Sequence, residues 1–323
     1  VMAVIDILNI TPTTISRDLR GKYLCLYSQP KAGKTSFAAQ APNNLLLAFE
    51  KGYNGIAGIH AQDNTKWSEF KTVLKQLASD KAKEMYHTVT IDTVGIAWEL
   101  CEKFICTQNN VTKINDIPWG QGFTACKREF EDALRQITLM GYGLIIIAHS
   151  EEKVIKNDKG EDVTIIGPAL PKRGAAIINQ LVDIIGYIGI QFDENGEAHR
   201  YLYTRSTPSV QAGSRFKYLP ARIPFGYQEL TEALANAIEE EAKHGATVVD
   251  NNDKKVEEPT RSFEEVRAEA EKLWKELVDK DPNNAARIMA IAEKIFDRPI
   301  KLSEITPSQQ DLFELVISGM KEL

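Results

Sequence analysis

The chain has 323 residues, of which 43% are hydrophobic and 26% charged, so it can bury a full core and is expected to divide into more than one unit. No apolar run approaches the ~20 residues that cross a bilayer, no secretory leader pattern opens the sequence, and the four cysteines lack zinc-ligand spacing. The net charge of −6 excludes a protein that follows nucleic acid with its whole surface, so any DNA contact must come from local loops or from the interior of an oligomer.

The predicted elements begin after a polar, threonine-rich lead-in at residues 1–20. Between residues 21 and 244, apolar runs alternate with amphipathic stretches, which predicts an α/β core with a mostly parallel sheet flanked by helices. The apolar runs are 23–27, 45–49, 88–91, 144–148 and 184–190, and the helical patterns are 66–77, 94–105 and 123–140. Two hairpins are predicted, with turns at 157–160 and 195–196.

The segment after the first apolar run reads Ser-Gln-Pro-Lys-Ala-Gly-Lys-Thr and precedes a predicted helix at 36–40. Strand, loop and helix in this order predict a phosphate-binding P-loop, with Lys34 on the β- and γ-phosphates and the Thr35 hydroxyl on Mg²⁺. The predicted nucleotide contacts are Ser28, Gln29, Pro30, Lys31, Ala32, Gly33, Lys34, Thr35 and Ser36. Ser28 replaces the usual first glycine, which predicts ordinary backbone dihedrals there. The alternative is a chance Gly-Lys-Thr turn.

Three later strands are predicted to end in a polar side chain at the edge of the sheet that carries the P-loop. Asp92 has the form of a Walker B acid that holds Mg²⁺; the alternative is a cap of the next helix. Glu50 is placed to orient the attacking water; the alternatives are a solvated strand end or a partner for Lys51. His149 is placed to sense the γ-phosphate; the alternative is a structural histidine.

This order of motifs resembles the RecA-type ATPase core, and more closely the phage RecA-like ATPases used as single-strand annealing or recombination proteins, the Sak-type group. The phrases Thr90-Ile-Asp-Thr-Val-Gly-Ile and Ile146-Ile-Ala-His-Ser-Glu are similar to that group, and the resemblance covers about residues 21–230. It implies ATP and Mg²⁺ as cofactors, with Glu50, Lys34 and His149 catalytic. His149 stands where RecA relatives use a glutamine that couples the γ-phosphate to DNA-facing loops.

The resemblance also implies two DNA-facing segments. In the first, 109–121, Trp119 is expected to stack on bases beside Lys113; the alternative is a tryptophan packed under its own loop. The second is the predicted hairpin at 151–173, where five acids balance the cations Lys153, Lys156, Lys159, Lys172 and Arg173. Three residues are candidates for a cation that acts on the neighbouring subunit's phosphate, or are plain surface charges: Arg215, Lys217 and Arg222.

A breaker-rich linker is predicted at 245–261, followed by a helical unit at 262–323. Ser262 with Glu265 forms a predicted capping box, Pro282 marks the start of a second helix, and Thr306-Pro307 opens a third. Residues 249–323 carry 17 acidic and 12 basic side chains. We expect this unit to bind a partner, such as a single-strand binding or replication and recombination protein.

The leading interpretation is a Mg²⁺-dependent ATPase, assembled with itself as a ring or filament, that binds single-stranded DNA and promotes annealing or strand exchange. One alternative is a nucleotide-gated scaffold with little hydrolysis. Another is a hexameric helicase of the DnaB type, which shares this core. A phage-encoded protein of this kind would work in the cytoplasm of its bacterial host, without a membrane partner.

Overall fold

The computed structural model describes residues 15–16, 19, 21–156, 159–249 and 262–323. The chain forms two compact units, 1–257 and 258–323. No helix within the described ranges is long and apolar enough to cross a membrane.

The N-terminal unit alternates strands and helices along most of its length. Its strands are β1 (Ile15–Ser16), β2 (Tyr23–Ser28), β3 (Asn44–Ala48), β4 (His60–Asp63), β5 (Thr88–Asp92), β6 (Gly143–Lys156), β7 (Asp162–Pro168), β8 (Ile184–Phe192), β9 (Ala198–Tyr203), β10 (Gly213–Ser214), β11 (Arg222–Pro224) and β12 (Val248–Val249). Its helices are α1 (Lys34–Ala38), α2 (Trp67–Leu77), α3 (Asp80–Met85), α4 (Val94–Gln108), α5 (Gln121–Leu139), α6 (Lys172–Leu181) and α7 (Tyr227–Lys243). Every predicted strand and helix forms, with ends shifted by a few residues.

The main sheet has the strand order β11-β9-β8-β2-β6-β5-β3-β4, with β10 added beside β8 and β7 beside β6. The six strands from β8 to β4 in that order pair in parallel. The strands β7, β9, β10 and β11 pair antiparallel, and both predicted hairpins are present as β6–β7 and β8–β9. The predicted α/β fold with a mostly parallel sheet is confirmed.

Two hydrophobic cores lie on opposite faces of this sheet because successive side chains of a strand point in opposite directions. In β2, Cys25 and Tyr27 face the core covered by α2, α4, α5 and α6. Leu24 and Leu26 face the core covered by α1 and α7. An apolar run buried on both faces is typical of a central parallel strand, which explains why β2 places its following loop at the middle of the sheet.

The structure corrects two segments predicted as lead-in and linker. Ile15–Ser16 pairs in parallel with Val248–Val249, so a segment from the predicted lead-in and one from the predicted linker form a small separate sheet. The linker prediction gave weight to the polar run that follows and overlooked the β-branched Thr247-Val248-Val249, which favours a strand. Apart from Leu19 and residues 245–247, the rest of the lead-in and of the linker lies outside the described residues.

The C-terminal unit contains α8 (Phe263–Lys280), α9 (Asn284–Phe296) and α10 (Gln310–Lys321), with 3₁₀ turns at Leu302–Glu304 and Pro307–Gln309. The predicted capping box is confirmed, since the Ser262 hydroxyl accepts from the Glu265 N–H and the Glu265 carboxylate accepts from the Ser262 N–H. The three helices share a hydrophobic core around Val266, Ile288 and Phe313.

Candidate active site

The sheet register brings the predicted site residues to one edge. Ser28 at the end of β2 is opposite His149 in β6, Asp92 at the end of β5 is opposite Ile147, and Ala48 at the end of β3 is opposite Asp92. Because these strands are parallel, their carboxyl ends share an edge, where open α/β sheets bind ligands. Glu50 follows β3 at the same edge, and its N–H donates to the Asp92 carbonyl at 3.1 Å.

The loop from Ser28 to Thr35 turns sharply between β2 and α1. Ser28 is the last residue of β2, in extended backbone, as its substitution for glycine predicted. Gly33 has a φ of +96°, in the left-handed region that favours glycine, and Lys31 also has a positive φ, of +64°. The helix begins at Lys34, two residues earlier than predicted, and has only five residues. Attraction of an anion must therefore come mainly from the loop N–H groups and from Lys34.

The Lys34 side chain is buried in this loop, with 6% of its surface exposed. Its ammonium donates to the Ser28 hydroxyl at 2.9 Å, to the Gln29 carbonyl at 2.9 Å and to the Ser28 carbonyl at 3.2 Å. Burial lowers the pKa of Lys34, while the charges of Asp92 and Glu50 oppose that shift. A bound phosphate could take the place of these neutral acceptors.

Thr35 and Asp92 meet beside Lys34. The Thr35 hydroxyl donates to Asp92 Oδ2 at 2.6 Å, and Asp92 is only 4% exposed. Burial raises the pKa of Asp92, and the hydrogen bond from Thr35 opposes this rise. Asp92 does not cap α4, whose N-cap is Thr93. A hydroxyl and a buried carboxylate in contact offer the hard oxygen ligands that Mg²⁺ prefers, so this pair fits a metal ion.

Glu50 and His149 form a second pair at the same edge. His149 Nε2 lies 3.0 Å from Glu50 Oε2, and the other ring nitrogen, Nδ1, is buried without a hydrogen-bond partner among the described residues. A carboxylate only accepts, so this geometry assigns the ring proton to Nε2. Lys51 lies 3.9 Å from Asp63, so the alternative pairing of Glu50 with Lys51 is wrong. His149 therefore lies at the predicted site, and its role in sensing the γ-phosphate stays a prediction.

The first predicted DNA-facing segment presents its tryptophan to solvent. Trp119 is 94% exposed and has a φ of +59°. The alternative that it packs under its own loop is therefore wrong; Ile114 and Ile117 fill that place instead. Lys113 is exposed in the same segment.

In the second segment, most predicted cations have partners within the same molecule. Lys153 donates to the carbonyls of Pro168 at 2.8 Å and Leu170 at 3.3 Å, and Lys156 pairs with Asp162 at 2.8 Å. The remaining cations lie on the turn of the hairpin or at the start of α6: Lys159 on the turn, Lys172 exposed, and Arg173 over the Phe123 ring at 4.5 Å. The contacts of Lys153 and Lys156 stabilise the hairpin. Contact of this segment with DNA remains a prediction.

The three candidates for a cation acting between subunits differ in their contacts. Arg215 pairs with Asp183 at 2.9 Å and donates to the Gln180 carbonyl. Its guanidinium is thus already engaged by partners in its own chain. Arg222 donates to Gln191 and stacks over Tyr201, and Lys217 lies over Tyr218. None of the contacts within the described ranges links these three residues to the P-loop.

Sequence reasoning missed two residues that touch the site. An ideal Cβ on Gly52 would lie 3.7 Å from the Thr35 hydroxyl and 4.0 Å from Asp92 Oδ2, so the backbone passes close over this pair. Arg200 in β9 donates to the Ala32 carbonyl of the loop at 2.9 Å. The sequence could have indicated Arg200, because it lies two residues before the apolar Leu202 in a predicted strand. Residues two apart in a strand share a face, so Arg200 is expected on the same face as a core residue.

Comparison with known proteins agrees with this geometry. Residues 20–216 match the family described as AAA domain. The chain is also similar to the SPbeta prophage-derived uncharacterized protein YorG of Bacillus subtilis (strain 168), at 27% identity over 328 residues that cover 99% of this chain and 98% of the relative. The family match covers the β2 loop, the Thr35–Asp92 pair and the Glu50–His149 pair. The chain therefore belongs to the AAA-domain family of nucleotide-binding P-loop ATPases.

Proposed function

We propose that this protein is a Mg²⁺-dependent ATPase that assembles with itself, binds single-stranded DNA and promotes annealing or strand exchange in phage recombination. The observation that carries the ATPase part is the contact of the Thr35 hydroxyl with the buried Asp92 carboxylate at 2.6 Å, beside Lys34. The phage setting is supported by the prophage origin in the name of the relative from Bacillus subtilis.

Lys34 and the loop bind the phosphate chain in this proposal. The ammonium leaves the Ser28 and Gln29 acceptors and donates to β- and γ-phosphate oxygens, forming stronger charge-assisted hydrogen bonds. Thr35 and Asp92 hold Mg²⁺, which neutralises phosphate charge when it is bound. These roles use residues that are already in contact.

Glu50 orients the attacking water and accepts its proton. Its side chain is 44% exposed, so water can reach the carboxylate, and the His149 Nε2–H fixes the carboxylate from the other side. His149 is in β6, next to the β2 strand that leads into the loop, so it can exchange its bond to Glu50 for a bond to the γ-phosphate. This exchange would report the state of the nucleotide to the β6–β7 hairpin.

Single-stranded DNA binding is supported by the exposed Trp119 and by the resemblance to the Sak-type group. A tryptophan with 94% of its surface in water offers both ring faces to a base, and such stacking tolerates any sequence. The acidic charge of the chain restricts this contact to local surfaces.

The test is the ATPase rate with and without Mg²⁺ and single-stranded DNA, together with the mass of the assembly. We expect Mg²⁺-dependent turnover stimulated by DNA, lost in Lys34→Ala and kept in Lys75→Ala, a change of an exposed lysine on α2. Nucleotide binding without turnover would favour the scaffold. ATP-driven unwinding of a forked duplex would favour the helicase. Unchanged ATP affinity in Lys34→Ala would refute the P-loop assignment.

A further inference from the structure

We propose that Arg200 is a second nucleotide-binding cation, which donates to the phosphate chain from the β9 side of the P-loop. The inference deepens the proposed ATPase site and rests on it. Its starting point is the contact of Arg200 Nη1 with the Ala32 carbonyl at 2.9 Å, between residues 168 positions apart in sequence.

The β8–β9 hairpin determines which way Arg200 points. Arg200 is directly opposite Ile190, and two residues along each strand Leu202 is opposite Ile188. Side chains of opposed residues share a face, and Leu202 and Ile188 are buried in the core that includes Phe37 of α1. Arg200 therefore projects from the face of the sheet on which the loop and α1 lie.

The guanidinium packs directly against the loop glycine. An ideal Cβ on Gly33 would lie 2.6 Å from Arg200 Nη1, closer than a real contact allows. With its φ of +96° and no side chain, Gly33 leaves space for the arginine beside the loop. Arg200 thus contacts the loop at Gly33, the residue directly before Lys34.

The charge of Arg200 has no carboxylate partner within the described part of the chain. Its guanidinium donates to the Ala32 carbonyl there and lies near the Phe225 ring, whose centroid is 5.8 Å from the guanidinium carbon. An arginine has five N–H donors in a fixed fork, so several remain for a ligand. Arg205 differs from Arg200 in this respect. Its guanidinium donates to four backbone carbonyls, as expected of an arginine with a structural role.

An unneutralised guanidinium at a phosphate-binding loop matches an anion with several oxygens. The planar fork suits two phosphate oxygens at once, which a lysine cannot reproduce. The positive charge and the donor geometry of Arg200 therefore point to the phosphate chain rather than to an uncharged part of the nucleotide. Arg200 would be a second cation on the phosphate chain, beside Lys34. It would also link strand β9 to the bound nucleotide.

The experiment measures the affinity of Arg200→Gln, Arg200→Lys and the control Arg135→Gln for ATP and for tripolyphosphate, at several salt concentrations. Arg135 is an exposed arginine paired with Glu131 on α5. For Arg200→Gln we expect a loss of roughly 10- to 100-fold with both ligands, as for one charge-assisted hydrogen bond, and a weaker dependence on salt. Arg200→Lys should lose less affinity and keep the salt dependence, and the control should match the parent.

Three results would overturn the inference. The first is an unchanged ATP affinity in Arg200→Gln. The second is a loss with ATP but not with tripolyphosphate, which would place the guanidinium on the nucleoside. The third is a loss that keeps the full salt dependence and accompanies an equal drop in thermal stability in both variants, which would make Arg200 only a support of the loop. If Lys34→Ala also binds ATP normally, the nucleotide site itself is wrong; if only the Arg200 variants do, this inference alone fails.

Discussion

Replacing Asp92 with asparagine should stabilise the nucleotide-free protein while weakening its use of Mg²⁺. Burial raises the pKa of Asp92 above its ordinary value of 3.8, because the charged carboxylate is poorly solvated, although the Thr35 hydroxyl opposes the shift. Asparagine has the same shape, and its Oδ1 can accept the same hydrogen bond. We expect the free energy of unfolding to rise by about 1 kcal/mol, as for other relieved functional sites. That corresponds to about 2–4 °C in the melting temperature of the N-terminal unit.

The effect has a defined dependence on pH. Because the pKa of Asp92 is higher in the folded than in the unfolded state, the folded parent binds more protons between the two values and loses stability as the pH rises. Asp92→Asn has no such group. The stability gap should therefore open as the pH rises from about 3.8 through the raised value, and stay constant above it. Denaturant titrations from acidic to neutral pH, without nucleotide, measure this gap.

Asp92→Asn should impair the Mg²⁺-dependent activity although it raises the free energy of unfolding. Loss of the carboxylate should raise the Mg²⁺ concentration for half-maximal ATPase activity by about 10- to 100-fold. Asp183→Asn, a matched change at another strand end, should instead lower stability by about 1 kcal/mol, because it breaks the pair with Arg215 at 2.9 Å. An Asp92→Asn protein that is less stable than the parent, or needs no more Mg²⁺, would refute this reasoning.

Three further outcomes are expected. Glu50→Gln should keep ATP affinity but lower turnover by about 10²-fold or more in a steady-state assay, whereas Glu99→Gln on α4 should hydrolyse ATP like the parent; equal rates for all three would show that Glu50 is an ordinary carboxylate. Trp119→Ala should weaken single-stranded DNA binding by about 1–3 kcal/mol in an anisotropy titration, and the exposed Leu139→Ala should not; no difference between them would remove Trp119 from the DNA site. A chain that ends at residue 257, after β12, should fold and bind ATP by calorimetry, and loss of either would contradict independent units.

The strands and the P-loop could be predicted because their signals are local. An apolar run such as 23–27 specifies a buried strand by itself, and the loop motif follows it directly. Strand β4 was missed because His60–Asp63 has no apolar alternation and forms only by pairing with β3. The linker boundary was misplaced for a similar reason, since Val248–Val249 depends on a partner more than 230 residues earlier.

The site could be predicted as a set of strand ends, and Thr35 with Asp92 as joint candidates for Mg²⁺, but the Glu50–His149 pair and the position of Arg200 could not. Contact between Glu50 and His149 depends on the order β2-β6-β5-β3, which no local pattern specifies. The position of Arg200 over the loop depends on β8 lying beside β2 and on which face of the hairpin turns toward α1. Contacts between distant segments of this kind require the register of the whole sheet.

Strand β6 does not stop at the edge of the sheet. It continues as one 14-residue strand from the core through His149 to Lys156, where β7 pairs with its outer half. At about 3.3 Å per residue, the outer half reaches roughly 23 Å beyond His149. Because the strand is continuous from Gly143 to Lys156, we expect a small tilt of the backbone at His149 to become a larger displacement at Lys156. In the proposed mechanism, exchange of the His149–Glu50 hydrogen bond would thus move the outer half of β6 without unfolding a loop.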